Sequence, residues 1–262
     1  MTRSNGFKSI VCVVFALVVL ASTASVSAKR ETNQTRGVTN VVLIHGAWAD
    51  GSSWSKVIPL LEAKGLHVVA VQLPLTSQAD DVATVKRAIA LVDGPLLLVA
   101  HSYGGSVMTQ AGNDPKVAGL LYVAAFAPAE GESPFELATA HPTPALQQLV
   151  SDQSGFLKLS QAGIREDFAQ DLSDSEQTVL AAAQGPTAVA ALSAKVSMSA
   201  WRAKPCWFLI ASRDRVVAPE LQAIFAERMN ATTLTLPSSH VAMLSQPAAV
   251  ASFIRRAARD VQ

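Results

Sequence analysis

Short apolar runs alternate with longer amphipathic segments along most of this chain. Apolar runs rich in β-branched residues are typical of strands buried on both faces of a parallel sheet. The pattern predicts six strands, over residues 41–44, 67–71, 95–100, 117–127, 206–211 and 232–236. Helices with one buried face are predicted between them, over residues 52–64, 81–92, 104–111, 219–229 and 247–259. This alternation predicts βαβ units with right-handed crossovers, and therefore an α/β fold with a mainly parallel sheet.

The alternation stops over residues 128–204. Pro and Gly interrupt segments rich in Ala, Gln, Ser and Asp, and no strand is evident, whereas helical patches are predicted near 145–150, 164–171, 174–183 and 187–195. We therefore expect an all-helical cap, inserted after the fourth strand of a single domain over residues 41–262. The chain's 50% content of hydrophobic residues is enough to bury the core of one large domain.

The first 28 residues have the features of a secretory signal peptide. Arg3 and Lys8 precede an apolar run over residues 10–21, and small residues precede a cleavage site after Ala28. A membrane anchor is the less favoured interpretation, because a spanning helix needs roughly 20 apolar residues. We expect a secreted or periplasmic protein without a stable membrane anchor, with a flexible leader over residues 29–40.

Charge and cysteine content narrow the classes of partner and ligand. The full chain has a formal net charge of +1, which removal of residues 1–28 would change to −1. A near-neutral chain lacks the excess positive charge that proteins use to bind nucleic acid or an anionic membrane.

After removal of residues 1–28, Cys206 would be the one remaining cysteine, so no internal disulfide is expected. No histidine pair has metal-ligand spacing and Gly104-Gly105 lacks the pattern of a phosphate loop, so neither metal nor cofactor is predicted.

Residues 98–105, Leu-Val-Ala-His-Ser-Tyr-Gly-Gly, lie where a predicted strand meets a predicted helix. This context is typical of a nucleophile elbow, in which a serine on a strained turn projects its hydroxyl above the sheet. Ala100 replaces the first glycine of the Gly-x-Ser-x-Gly pattern, but Ala is still small enough for strand and helix to pass closely. Ser102 is therefore the predicted nucleophile.

Two further reactive residues follow predicted strands. Ligands of open parallel sheets bind beyond the carboxyl ends of the strands, and Asp214 and His240 both lie directly after one. An imidazole can take the proton of a serine hydroxyl, and a carboxylate can orient the imidazole. Glu130 is the alternative acid, and Asp214 could instead be a surface carboxylate paired with a neighbouring arginine.

Acyl transfer also requires two N–H donors for the oxyanion of the tetrahedral intermediate. The backbone N–H of Tyr103, directly after the nucleophile, is one candidate. The second is expected from the loop after the first strand, where Ala47 or Trp48 can supply it. His45 and His101 lie at tight turns and are expected to hydrogen-bond loop backbone rather than to react.

Four segments together resemble the α/β-hydrolase superfamily: residues 43–48, 100–105, 212–219 and 239–247. The last two segments are most similar to the branch that contains plant methyl esterases and hydroxynitrile lyases, together with related bacterial serine esterases. The resemblance implies the α/β-hydrolase fold, and it implies Ala47 and Tyr103 as the oxyanion donors. Lyases of this branch carry a lysine directly after the catalytic histidine, and Val241 at that position favours an esterase.

The sequence thus predicts a serine hydrolase that cleaves small carboxylic esters through a Ser102, His240 and Asp214 triad and an acyl-enzyme. Trp48, Phe126 and Met243 are expected to line the substrate pocket, and Trp201 is a further candidate from the cap. Lactonase, thioesterase, haloperoxidase or lyase activity on the same fold remains open, as does a catalytically weak ligand-binding protein. Neither the natural substrate nor the oligomeric state is indicated.

Overall fold

The structure is a computed structural model that describes residues 37–261. The predicted signal peptide and most of the predicted leader lie outside these residues. The strands are β1 (Asn40–Ile44), β2 (His67–Ala70), β3 (Leu96–His101), β4 (Val117–Val123), β5 (Leu149–Ser151), β6 (Phe156–Leu159), β7 (Thr187–Ala188), β8 (Cys206–Ala211) and β9 (Thr232–Leu236).

Six of these strands form the central sheet, in the order β2-β1-β3-β4-β8-β9, and every neighbouring pair is parallel. The prediction of six mainly parallel strands is confirmed, and β8 and β9 have the predicted bounds. Every residue of β3, at the centre of the sheet, is buried. Burial on both faces explains why the central strands are continuous apolar runs instead of alternating ones.

Helices connect the strands and cover the sheet. They are α1 (Ile58–Glu62), α2 (Gln78–Leu91), α3 (Gly104–Ala111), α4 (Pro134–Ala140), α5 (Gln161–Gly163), α6 (Asp174–Ala183), α7 (Val189–Ser193), α8 (Pro219–Arg228), α9 (Ala242–Ser245) and α10 (Pro247–Asp260). Helices α3 and α10 both contact β3 and β4, and α2 packs against α3. Among the helices of residues 37–261, none is long and apolar enough to cross a membrane.

The cap over residues 128–204 departs from the predicted all-helical insertion. It contains α4 to α7, but also an antiparallel sheet in the order β5-β6-β7. The expectation that no strand occurs here is wrong. These strands give little signal in the sequence because they have only two to four residues each. An alternation of buried and exposed side chains over so few residues is too short to be distinguished from a loop.

Two adjacent glycines allow α3 to pack directly against backbone. A Cβ on Gly104 would lie 2.3 Å from the carbonyl oxygen of His45, and a Cβ on Gly105 would lie 2.3 Å from that of Phe126. Real Cβ atoms do not approach backbone oxygens so closely, so any other residue would displace the helix. The start of α3 is thereby fixed against the loops that follow β1 and β4.

We expect Gly105→Ala to destabilise the fold by about 1–3 kcal/mol, because the added methyl overpacks a site where backbone must move. Gly185→Ala is the matched control, because the added Cβ would meet no atom closer than Leu75 Cδ1, at 3.9 Å. Urea denaturation of the two variants measures the difference. Equal stabilities would contradict the close approach at α3.

Candidate active site

Ser102 occupies a strained turn between β3 and α3. Its φ of 53° is in the left-handed region, which a residue other than glycine adopts only at a cost in conformational free energy. The Ser102 N–H donates to Val123 O (3.3 Å), and Ser102 O accepts the N–H groups of Gly105 (3.0 Å) and Phe126 (3.1 Å). This backbone geometry is that of a nucleophile elbow.

Asp214 and His240 form a buried hydrogen-bonded pair. His240 Nδ1 lies 2.8 Å from Asp214 Oδ2, and both side chains have no exposed surface. Asp214 Oδ1 accepts the backbone N–H groups of Val216 (2.8 Å) and Val217 (3.0 Å). A carboxylate with these partners is an acceptor, which assigns the proton of neutral His240 to Nδ1 and leaves Nε2 with its lone pair.

The second ring nitrogen of this histidine is buried and unpartnered. His240 Nε2 makes no hydrogen bond to any residue of the described range, and no such bond joins it to Ser102 Oγ. Hydrogen bonds between a nucleophile and its base are often long in the absence of substrate. His240 nevertheless lies beside the elbow, because its carbonyl oxygen is 2.9 Å from Nε2 of His101, the residue before Ser102.

The alternative assignments for the acid have other surroundings. Glu130 is exposed and makes no contact with His240 among the described hydrogen bonds. The neighbouring Arg215 is paired with Asp167, at 2.6 Å between Nε and Oδ1, and not with Asp214. The structure thus brings together Asp214 and His240, and leaves Glu130 outside.

Gln222 supports the carboxylate and is absent from the sequence prediction. Its Nε2 donates to Asp214 Oδ2 and to Val217 O, both at 2.8 Å, and its Oε1 accepts the N–H of Ala211 at 2.9 Å. The side chain is fully buried in α8. A signal exists in the sequence, because position 222 precedes the apolar Phe225 and Ala226 by three and four residues and shares their helix face.

The two histidines at the turns hold backbone, as predicted. His45 Nδ1 contacts Gly46 O at 2.8 Å, and His45 Nε2 accepts the N–H of Leu73 at 2.9 Å. His101 Nε2 contacts the carbonyl of His240. Burial lowers the pKa of His45, and it lowers the pKa of His101 well below its ordinary range.

The two backbone N–H groups implied as oxyanion donors make no hydrogen bond within the described part of the chain. Neither the Ala47 N–H nor the Tyr103 N–H donates to any residue within 37–261. The Trp48 N–H, the other candidate from the first loop, donates to Thr187 Oγ1 at 3.3 Å. Of these two loop residues, Ala47 therefore has the N–H that a bound oxyanion could use.

An apolar cavity that Ser102 helps to line lies between the loops after the central strands and the cap. The residues after the central strands contribute Ala47, Trp48, Tyr103, Phe126 and Val216, and the cap contributes eight residues between Pro134 and Leu192, all of them apolar. The polar tips of two wall residues are engaged elsewhere. Tyr103 donates its hydroxyl to Asp81 Oδ2 (2.7 Å), and Trp48 donates Nε1–H to Leu157 O (2.9 Å).

Two predicted pocket residues lie elsewhere. Met243 is fully buried in α9 and is not among the residues that line the cavity. Trp201 is also outside the lining, and its Nε1–H donates to Pro128 O at 3.0 Å. Both residues belong to the hydrophobic core. The prediction failed because closeness to the site along the sequence does not show which way a side chain points.

Comparison with known proteins assigns the family. The model of the alpha/beta hydrolase family matches residues 41–253. The chain belongs to this family. It is 37% identical to a pyrethroid hydrolase of Sphingobium wenxiniae over 110 residues, which is 37% of this chain and 39% of that protein. It is 33% identical to methylesterase 7 of Arabidopsis thaliana over 114 residues, 37% of this chain and 42% of that protein.

Solved structures of similar fold cover more of the chain. A pyrethroid hydrolase structure, 25% identical, has a TM-score of 0.74 and covers 85% of this chain and 98% of its own. Polyneuridine aldehyde esterase, 21% identical, has a TM-score of 0.73 and covers 84% and 98%, respectively. By sequence, the chain spans about two fifths of the length of the curated relatives named above. The likeness to the second structure shows the fold alone.

The buried His101 predicts how stability depends on pH. Its folded-state pKa is lowered, so below about pH 6.5 the unfolded chain binds a proton that the folded chain does not, and stability falls as the pH decreases. In His101→Gln the amide can still donate to the His240 carbonyl but cannot titrate. Between pH 6.5 and 5, we expect the unfolding free energy of His101→Gln to fall less steeply than that of wild type. The two slopes should differ by up to about 1.4 kcal/mol per pH unit.

Urea denaturation at pH 7.5, 6.0 and 5.0 measures both slopes. His45 is present in wild type and variant alike, so its contribution cancels in the comparison. Parallel pH profiles for the two proteins would show that folded His101 takes up the proton after all.

Proposed function

We propose that this protein is a serine hydrolase that cleaves carboxylic esters through an acyl-enzyme. One observation carries the proposal: the buried Asp214–His240 pair, with His240 Nε2 unpartnered, is joined through the His240 carbonyl to His101, the residue before Ser102. Ser102 itself lies in an elbow and lines an apolar cavity. The named activities of the relatives, pyrethroid hydrolase and methylesterase, support the same reaction.

In the proposed acylation, Ser102 Oγ attacks the ester carbonyl carbon while His240 Nε2 takes the hydroxyl proton. Asp214, held by four donors, stabilises the imidazolium and keeps Nδ1 toward the carboxylate. The N–H groups of Ala47 and Tyr103 stabilise the oxyanion of the tetrahedral intermediate. His240 then returns the proton to the leaving alkoxide, and the alcohol departs.

Deacylation repeats these steps with water as the nucleophile. His240 Nε2 takes a proton from water as it attacks the acyl carbonyl, and returns that proton to Ser102 Oγ when the acid is released. No group beyond the chain and water is needed for atoms and charge to balance.

The wall of the cavity indicates the kind of ester. The hydroxyl of Tyr103 and the indole N–H of Trp48 both face protein acceptors, so the wall presents carbon to a ligand. A charged substrate would lose its hydration without gaining a partner, at a cost of several kcal/mol. We therefore propose that the substrates are small, neutral, apolar esters. Val241, directly after His240, supplies no cationic group for a charged substrate.

Hydrolysis of p-nitrophenyl butyrate by purified wild type and Ser102→Ala tests the reaction. We expect Ser102→Ala to reduce kcat by about 10³-fold or more, because the nucleophile and base act as a unit. Glu130→Gln is the control for the alternative acid and should retain wild-type kcat, whereas Asp214→Asn should lose most of it. Equal rates for wild type and Ser102→Ala would overturn the mechanism.

A fluorophosphonate probe separates an enzyme from a binding protein. We expect the probe to label Ser102 covalently in wild type and not in Ser102→Ala, as detected by intact mass. Saturable binding of ester without turnover or labelling would favour the catalytically weak ligand-binding protein.

We also propose export, on the pattern of residues 1–28. The mature chain should begin at Lys29, which intact mass of the protein recovered from the periplasm or medium of the expressing cell would detect. Recovery of the uncleaved chain in the cytoplasm would contradict this assignment.

A further inference from the structure

We propose that Thr187 of the cap is a positioning residue for the oxyanion hole, acting through Trp48 on the N–H of Ala47. The inference rests on the proposed esterase function and goes beyond it, because it assigns a catalytic consequence to a strand remote in sequence from the triad.

The loop after β1 carries a strained residue next to the proposed donor. Trp48, directly after Ala47, has a φ of 58°. A bulky side chain in the left-handed region costs about 1–2 kcal/mol and persists only where its surroundings hold it. Relaxation of Trp48 to an ordinary φ would rotate the Ala47–Trp48 peptide plane. The backbone of Ala47 would have to readjust, and this readjustment would change where the N–H of the preceding peptide, that of Ala47, points.

Two hydrogen bonds hold Trp48, and both come from the cap sheet. Its backbone N–H donates to Thr187 Oγ1 (3.3 Å), and its indole Nε1–H donates to Leu157 O (2.9 Å). Leu157 in β6 and Thr187 in β7 are direct partners in the antiparallel register. Trp48 is therefore attached to one rung of the small sheet, and Thr187 is fully buried.

The same cap strand is also connected to the second oxyanion donor. Next to Thr187, the Ala188 N–H donates to Leu75 O at 2.9 Å. The Leu75 N–H in turn donates to Asp81 Oδ1 (2.8 Å), and Asp81 Oδ2 accepts the hydroxyl of Tyr103 (2.7 Å). Asp81 is fully buried, so its carboxylate depends on these two donors.

The two-residue strand β7 thus belongs to a chain of hydrogen bonds that runs from Trp48, beside one proposed oxyanion donor, to the side chain of Tyr103, the other. The close approach of Gly104 to His45 already holds the two loops together, and this chain adds a restraint on Trp48, at the far side of Ala47. Because the oxyanion forms only along the reaction, a change in where the Ala47 N–H points affects the transition state more than the bound ester.

Thr187→Val removes the acceptor and keeps a β-branched side chain of similar size, whereas Thr187→Ser keeps the acceptor. We expect Thr187→Val to lower kcat for p-nitrophenyl butyrate by about 10-fold, less than the roughly 10²–10³-fold loss on removal of a donor. KM should change by less than about 2-fold, because Thr187 itself does not line the cavity. Thr187→Ser should stay near wild type.

An aryl trifluoromethyl ketone supplies a readout that general damage would not reproduce. It adds to the serine as a hemiketal oxyanion, so its affinity should fall in Thr187→Val in proportion to kcat and recover in Thr187→Ser. Thr178→Val is the matched control, because it makes the same change in the cap helix α6, where Thr178 Oγ1 bonds Asp174 O. Thermal unfolding of each variant verifies folding, and Thr187→Ala replaces Thr187→Val if the latter is unfolded.

Unchanged kcat and inhibitor affinity in a folded Thr187→Val would overturn this inference. Equal losses in Thr187→Val and Thr187→Ser would also overturn it, because packing of the methyl group and not the acceptor would then be responsible. Wild type and Ser102→Ala are assayed first: absence of turnover dependent on Ser102 refutes the proposed function itself, and loss confined to Thr187→Val supports the positioning role.

Discussion

The turn at Ser102 requires backbone to close around a single strained residue from several directions. Its left-handed conformation is maintained by hydrogen bonds from β4 and from the start of α3, and by two glycines that allow carbonyl oxygens to approach the helix. The central sheet provides this enclosure, because β3 lies between β1 and β4 with all its residues buried. The loops after β1 and β4 pack against this turn.

The buried polar groups of the site form a connected set in which almost every atom has a partner. Asp214 accepts four hydrogen bonds, and Gln222 satisfies both the carboxylate and the N–H at the end of β8. A buried carboxylate without such donors would destabilise the fold by several kcal/mol. Two ring nitrogens at this site, His240 Nε2 and His101 Nδ1, are buried without a hydrogen-bond partner, and such atoms in native proteins call for an explanation.

The sequence was sufficient for the sheet because burial on both faces leaves a signal in every strand. The convergence of the loops after β1, β3, β8 and β9 could also be predicted, since parallel strands carry their following loops to one edge. The cap sheet could not, because β7 is two residues long and its pairing partner is about 30 residues away. Gln222 and Asp81 were missed for another reason: a polar residue in a helix gives no indication from its own type that it is buried.

The cap has two roles that place different constraints on its residues. Most of the cavity wall comes from apolar cap side chains that contact ligand space and carry no hydrogen bond essential to the loop after β1. Exchange of these side chains would therefore change the cavity wall and leave the hydrogen bonds of that loop intact. The strand β7 does not share this freedom, because its hydroxyl accepts the N–H of Trp48 in the loop after β1 and its backbone donates to Leu75, before α2. A chimera that receives a foreign cap would have to retain this strand, even though its residues contribute nothing to the wall itself.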